Sequence, residues 1–369
     1  MSVEVVCVVG ARPNFMKIAP IMAAFRAKPI AAKLVHTGQH YDPSMSDSFF
    51  AQLGIPRPDV NLEVGSASHA VQTADIMRAF EPVLDAEKPK AVLVVGDVNS
   101  TIACALVAAK KGIQVIHVEA GLRSYDRAMP EEINRVLTDQ ISDLLFTTER
   151  SALDNLKREG IAPERVHFAG NVMIDTLRGH LDRAVPAEVT LGGKPTRGYA
   201  VVTLHRPSNV DNADTLRGLL DTLGEVAGHL DVVFPIHPRT RAAAERFGLG
   251  GLLERPGMRL LPPQGYLQML GLTREATLVL TDSGGLQEET TALGVPCITV
   301  RENTERPITM TDGTNTLTGP TPEKILACFA DIQATGGKRG RVPEFWDGRA
   351  AERVADFLRP WLDALPARP

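Results

Sequence analysis

No apolar stretch approaches the ~18–20 residues of a membrane span, and residues 1–10 form a short β-branched run without the basic flank of a secretory leader. A soluble, cytoplasmic protein is the expectation. Long Lys/Arg-rich runs are missing too, and 40 basic against 44 acidic residues leave a net charge of -4. That balance disfavours nucleic acid and anionic membrane as partners and favours small molecules. The four cysteines, Cys7, Cys104, Cys297 and Cys328, stand singly without CxxC spacing, which argues against a disulfide framework or zinc knot and predicts buried reduced thiols. GxGxxG and GxxxxGK are both absent. Dehydrogenase and ATPase readings lose their usual phosphate fingerprints, and no cofactor is expected.

What the chain does contain is 369 residues, 44% of them hydrophobic, too many for one ordinary core. The pattern switches between short β-branched runs and longer segments of helical period, as in βα units around a parallel sheet. Strands are predicted at 4–9, 33–37, 91–95, 114–118, 144–147 and 166–169, with helices at 101–111, 131–142 and 150–159. Residues 186–198, dense in Pro, Gly and polar residues, read as a linker. Strands resume at 199–203, 231–235, 258–261, 276–281 and 296–300, and an amphipathic helix at 350–364 closes the chain. The expected fold is α/β, with two doubly wound Rossmann-like domains at 1–185 and 186–349 and a terminal helix in 350–369 packing back on the first. Ligands of open α/β sheets bind outside the carboxyl ends of the strands, so the loops after each strand hold the candidate chemistry.

After the first strand, Gly10-Ala11-Arg12-Pro13-Asn14-Phe15-Met16-Lys17 sets a guanidinium and an ammonium at the sheet's mouth, either as anion ligands or as solvated residues of an ordinary turn. Asp97, after the strand at 91–95, is a helix cap or a catalytic carboxylate. Glu119 places a second acid at the same edge. Pro130-Glu131-Glu132 opens a helix whose dipole favours acids, and there Glu131 would be a third, with Asn134 and Arg135 one turn on. In the second half, His205 at a strand end beside Arg206 is placed to touch a ligand, and His237 occupies a similar position. Neither has a second histidine at metal-ligand spacing, and no metal is expected. The strongest local signal is Thr281-Asp282-Ser283-Gly284-Gly285 running into a helix. Its glycines and free amides suit a diphosphate, with Glu289 a turn later for a sugar hydroxyl. Arg306 offers a further guanidinium for phosphate, and Gly313-Thr314-Asn315 follows as a polar loop.

The segments GARPNFMKIAP, TGQHYD, GDVNST, HVEAGLR, PEEINR, TLHR, PQGYL, LTDSGGLQEE and ENTERP occur in that order between residues 10 and 307. Together they closely resemble the non-hydrolysing UDP-N-acetylglucosamine 2-epimerases. The resemblance implies two Rossmann-like domains facing across a cleft, as in glycosyltransferase-B-like enzymes, and a homodimer. It also implies reversible epimerisation of UDP-N-acetylglucosamine to UDP-N-acetylmannosamine at carbon 2, by loss and return of UDP through a 2-acetamidoglucal. By motif, Asp97, Glu119, Glu131 and His205 match the family's catalytic positions. Arg12, Lys17, Gln264, Ser283, Gly284, Gly285, Glu289 and Arg306 fall in its nucleotide-sugar contacts. Arg-Pro-Asn-Phe-Met-Lys departs from the commoner Arg-Pro-Glu-Ala-Ile-Lys, and Gln39-His40 marks where some members bind a second substrate molecule as activator. The competing readings are a hydrolysing epimerase that releases N-acetylmannosamine and UDP, and a nucleotide-sugar glycosyltransferase.

Overall fold

The computed structural model describes residues 3–39, 50 and 53–366. His40, Tyr41 and Asp42 of TGQHYD lie outside the described residues, and with them part of the expected activator motif. The chain divides into two compact units, Met1–Gly179 with Glu344–Pro369, and His180–Pro343. The sequence reading placed the junctions at 185/186 and 349/350. Residues 180–185 group with the second unit, where the His180 ring meets Tyr266 edge-on and the Val185 N–H donates to Leu267 O at 3.0 Å.

The first unit is built on a seven-stranded parallel sheet: β1 Val5–Val9, β2 Ala32–His36, β3 Val60–Asn61, β4 Ala91–Val95, β5 Gln114–Ala120, β6 Leu144–Thr147 and β7 Val166–Phe168. Their order in space is β3-β2-β1-β4-β5-β6-β7. The second unit carries β8 Tyr199–Thr203, β9 Asp231–Pro235, β10 Met258–Leu261, β11 Leu278–Thr281, β12 Cys297–Thr299 and β13 Asn315–Leu317, also all parallel, in the order β10-β9-β8-β11-β12-β13. Both show the 3-2-1-4-5-6 winding of a Rossmann-like sheet, whose order reverses beside its first strand. That switch point is β1/β4 in one unit and β8/β11 in the other. The central runs VVCVV and AVLVV are buried along their whole length, as expected of strands covered by helices on both faces.

Segment 10–17 is not a turn with solvated cations. It leads straight into helix Arg12–Ala27, where Asn14 and Lys17 are buried. Asn14 accepts the Ala11 N–H at 3.1 Å and donates to Val95 O at 2.9 Å, tying the helix start to the end of β4. Pro20 within this helix supplies no N–H to Met16 O. The Thr176 hydroxyl takes that place at 2.6 Å.

The linker expected at 186–198 holds a short helix, Ala187–Leu191, ended by Gly192 in left-handed conformation. The Glu275 carboxylate accepts the Ala187 N–H at 3.2 Å. Five residues are too few for a periodic signal. Asn315 likewise opens edge strand β13 rather than extending the polar loop. It is buried, accepts from the Thr290 hydroxyl and donates to Gln287 O. Three of the cysteines are buried, but Cys328 is half-buried on helix Pro322–Thr335.

Helix Ala350–Ala364 packs on helix Arg12–Ala27 in the first unit. Arg359 grips Glu4 with two bonds of 2.8 and 2.9 Å, and Asp175 accepts the N–H groups of Ala350 and Ala351. Trp346, fully buried, donates to Thr148 O at 3.1 Å just ahead of this helix.

Candidate active site

In the first unit the acids gather where β4 and β5, adjacent in the sheet, reach their carboxyl ends. The pairing of β5 with β6 shifts between Val118 and Ala120, and Glu119 in that bulge has a φ of +75°. A bulge re-aims a side chain, and a non-glycine residue there is held against a cost of roughly 1–3 kcal/mol. What holds it is Lys17, whose Nζ lies 2.6 Å from Glu119 Oε2 with both side chains buried. Lys17 also crosses Gly96, where a Cβ would stand 2.9 Å from Nζ.

Asp97 follows Gly96. Its Oδ2 receives the Arg135 Nε at 3.0 Å, and its backbone oxygen accepts Asn134 Nδ2 at 2.9 Å, so consecutive residues of helix Pro130–Ile141 fix both ends of it. Glu131 opens that helix, half-exposed, and makes no ion pair among the described residues. Its neighbour Glu132 points inward to Arg135 and accepts the N–H groups of Ser124 and Tyr125 at 3.0 and 2.8 Å. Beneath the acids, His117 is fully buried between Asp139 Oδ1 at 2.6 Å and Gly96 O at 2.9 Å. Burial alone would push the Asp139 carboxyl up, but His117 and Arg123 bring it below its ordinary value.

In the second unit His205 and Ser283 follow β8 and β11, the two strands of the switch point. Asp282, fully buried, organises both loops. It accepts the backbone N–H groups of His205 and Arg206, each at 2.9 Å, and Asn209 Nδ2 at 3.1 Å, while His205 Nδ1 lies 2.8 Å from Oδ1. Burial pushes its carboxyl up, but His205 and these amides draw it below the ordinary value. An imidazole facing a carboxylate through Nδ1 carries its proton there and leaves Nε2 for a ligand. The His237 ring lies 5.8 Å from that of His205, and His237 Nδ1 caps its own helix by accepting the Arg239 N–H.

Ser283 is the N-cap of helix Gly284–Leu293, a start whose amides and dipole favour an anion. Arg306 lies behind it, buried, with Nε 2.8 Å from Glu288 and a close pair to Glu305. The expected phosphate ligand is thus neutralised by two carboxylates. The Glu289 carboxyl is pushed up to about 7, chiefly by burial, with the Tyr266 hydroxyl opposing and the charge of Glu288 adding to the rise. Gln264, beyond β10, donates to Pro262 O at 2.8 Å. Arg12 is half-buried at the head of its helix.

The structure therefore brings Lys17, Asp97 and Glu119 together in one unit, and His205 with the Ser283–Gly285 turn in the other. Sequence reasoning missed Asp282, although its place between a buried strand and Ser-Gly-Gly was a signal. It also missed the pairing of Glu132 with Arg135, three residues on along one helix, and of Glu305 with adjacent Arg306, both local in sequence, and it missed His117 and Glu288, whose partners lie 18 or more residues away. Among the described residues no group of His, Cys, Asp or Glu could hold a metal ion, and no helix is long and apolar enough to cross a membrane.

Two doubly wound units of this order, one with acids at its strand ends and the other with a glycine-rich helix start at Ser283, define a Rossmann-like α/β enzyme of the glycosyltransferase-B-like class. The family model described as UDP-N-acetylglucosamine 2-epimerase matches residues 23–359. The UDP-N-acetylglucosamine 2-epimerase of Methanococcus maripaludis is 44% identical over 358 residues, 95% of this chain and 97% of its own length. The UDP-2,3-diacetamido-2,3-dideoxy-D-glucuronate 2-epimerase of Pseudomonas aeruginosa is 39% identical, covering 96% of this chain and 99% of its own. The crystal structure of Methanocaldococcus jannaschii UDP-GlcNAc 2-epimerase, in complex with UDP-GlcNAc and UDP, matches with a TM-score of 0.88 and 40% identity, covering 96% of this chain and 99% of that one. The chain belongs to the UDP-N-acetylglucosamine 2-epimerase family.

Proposed function

We propose that the protein interconverts UDP-N-acetylglucosamine and UDP-N-acetylmannosamine by eliminating UDP to 2-acetamidoglucal and adding it back, so that the product stays attached to UDP. The hydrogen on carbon 2 is not beside a carbonyl and is barely acidic. Loss of UDP from carbon 1 makes its removal feasible, because positive charge develops next door as the proton leaves. The reaction needs a carboxylate to accept that proton, an acid to return one to the other face, and a cradle for departing diphosphate.

The observation that carries this reading is the convergence of Asp97 and Glu119, each ion-paired, at the ends of adjacent strands. His205, oriented by Asp282, and the Ser283–Gly285 helix start supply the diphosphate side. The test is incubation with UDP-N-acetylglucosamine in deuterated water, followed by NMR. Deuterium at carbon 2 in both UDP-linked epimers is expected; accumulation of free N-acetylmannosamine with UDP replaces this reading by the hydrolytic one. The likeness to the Pseudomonas aeruginosa enzyme supports a second reading, a substrate bearing a 3-acetamido group and a carboxylate. Competition between the two nucleotide sugars decides it: the preferred substrate has the higher kcat/KM.

A further inference from the structure

Glu119 sits in the bulge of β5 at a φ of +75°, a conformation that persists only where its surroundings over-determine it. One carboxylate grips the chain on both sides of that bulge. Asp139, fully buried in the last turn of helix Pro130–Ile141, accepts from His117 Nδ1 through Oδ1 at 2.6 Å and from the Gly121 N–H through Oδ2 at 3.0 Å. His117 lies two residues before Glu119 and Gly121 two residues after it. Asp139 Oδ2 also accepts from Arg123 Nη2 at 2.7 Å, and Arg123 is fixed in turn by Glu159 at 2.6 and 2.8 Å and by Leu122 O at 2.7 Å.

His117 carries this grip across to the neighbouring strand. Its Nε2 bonds Gly96 O at 2.9 Å. Gly96 is the residue between β4 and Asp97, in left-handed conformation with its own N–H on Val118 O at 3.1 Å. An ionised carboxylate and a backbone carbonyl only accept, so the ring donates at both nitrogens. The same ring thereby ties the backbone ahead of Asp97 to the flank of Glu119.

We propose that Asp139, with His117 as its arm, is a positioning residue for the reaction: it sets the spacing of the two loops that present Asp97 and Glu119. This rests on the epimerase reading above. Both side chains are fully buried below the strand ends, so neither touches substrate or exchanges a proton with it. What they supply is geometry. Two acids on different strands have to act on one sugar ring, and a displacement of about 1 Å can cost on the order of 10²-fold in rate. Removing one partner of a buried pair also costs stability, so the test separates turnover from folding.

The experiment measures kcat, KM and urea unfolding for wild type, Asp139→Asn, His117→Gln and the double variant, with deuterium incorporation at carbon 2 as the assay and turnover counted per folded molecule. Glutamine can set an amide nitrogen where Nε2 stands, so His117→Gln keeps a donor for Gly96 while releasing Asp139. In Asp139→Asn kcat should fall roughly 10–100-fold with KM within about threefold of wild type, and in His117→Gln kcat should fall about tenfold. The double variant should lose little more than Asp139→Asn alone, because the link between the two is already cut. His117→Gln serves as the test where the asparagine variant does not fold. A kcat within about twofold of wild type in a folded variant, with the loss confined to unfolding, overturns the proposal while leaving the epimerase reading intact. Failure of both single variants to fold overturns it as well, since the brace then serves the fold. Wild-type enzyme that exchanges no deuterium overturns both readings.

Discussion

The two units share one winding order and use it for opposite purposes. At the β1/β4 switch point, and along the neighbouring end of β5, the loops present acids whose partners are cations: Glu119 with Lys17 and Asp97 with Arg135. At the β8/β11 switch point the acid is turned inward. Asp282 is wholly buried and bonded to backbone amides, and what reaches solvent is the His205 ring it orients, 42% exposed. The guanidinium behind Ser283 is hidden as well, since Arg306 is paired with Glu288 and Glu305. A repeated fold thus fixes where chemistry can sit. Under the proposed function, the depth at which charge is placed separates a strand end that handles protons from one that cradles an anion.

The sharpest way to break this contrast is to neutralise an acid on each side. Asp97→Asn or Glu119→Gln should lower kcat by about 10³-fold or more with UDP affinity kept, since proton transfer needs the carboxylate and nucleotide binding does not. Steady-state kinetics with calorimetric UDP binding checks this, and unchanged turnover in both variants would remove them from the proton-transfer set. Asp282→Asn should act through His205. It disrupts the partner that fixes the imidazole's tautomer, and kcat should fall roughly 10²–10³-fold. Adding His205→Gln to it should then cost little more than either change alone. Fully additive losses would show that Asp282 serves the fold and not the histidine.

Much of this contrast was legible before any coordinates. Central parallel strands are apolar runs buried on both faces, so 91–95, 144–147, 199–203 and 231–235 could be bounded from sequence to the residue, as could one half-buried edge strand, 258–261. The very short edge strands lack that signature, and β3 with two residues and β13 with three were not foreseen. Helix Arg12–Ala27 was obscured by Pro20, whose cost is offset by a hydroxyl 156 positions away, a compensation no local window contains. The acids could be named from their places after strands. That Arg135 serves Asp97 and Asp282 serves His205 could not, because each pairing depends on burial across 38 or 77 residues of chain.

Burial raises one carboxyl in each unit, Asp175 and Glu289 among the described residues, and the two should titrate in different windows. Asp175, bonded to the head of the terminal helix, is pushed up to about 6 by burial, with the Ala350 and Ala351 amides opposing; Glu289 is pushed up to about 7. A raised carboxyl is protonated more readily in the folded chain than in the unfolded one. Its contribution is therefore complete below the unfolded value near 4 and is lost as pH climbs through the folded value, on the order of 3 kcal/mol for each. Asp175→Asn should flatten the decline in stability between pH 4 and about 6, and Glu289→Gln the decline reaching to about 7, both read from urea unfolding across pH. A slope identical to wild type in either variant would show that its carboxyl does not report on folding.

The smallest effects come from two glycines, one at each site, and they test the same distinction in the backbone. Gly96 has a φ of +69°, and an added Cβ would lie 2.9 Å from Lys17 Nζ and 3.3 Å from Asn14 Nδ2. Alanine there meets the left-handed penalty of roughly 1–2 kcal/mol and displaces the lysine that holds Glu119, so Gly96→Ala should lose both stability and turnover. Gly284 sits in the first turn of its helix, where a Cβ would come to 3.0 Å from Arg306 Nη1 and Glu305 Oε1. Those are side-chain tips that can give by a few tenths of an ångström, and alanine regains up to about 1 kcal/mol of helix propensity. Gly284→Ala should therefore leave unfolding in urea within about 0.5 kcal/mol of wild type while weakening UDP several-fold, because the methyl narrows the approach of phosphate to the helix amides. Equal losses of stability in the two variants would mean that the anion cradle is as strained as the acid site, and the contrast between a stressed proton-handling unit and a relaxed phosphate-binding one would fall.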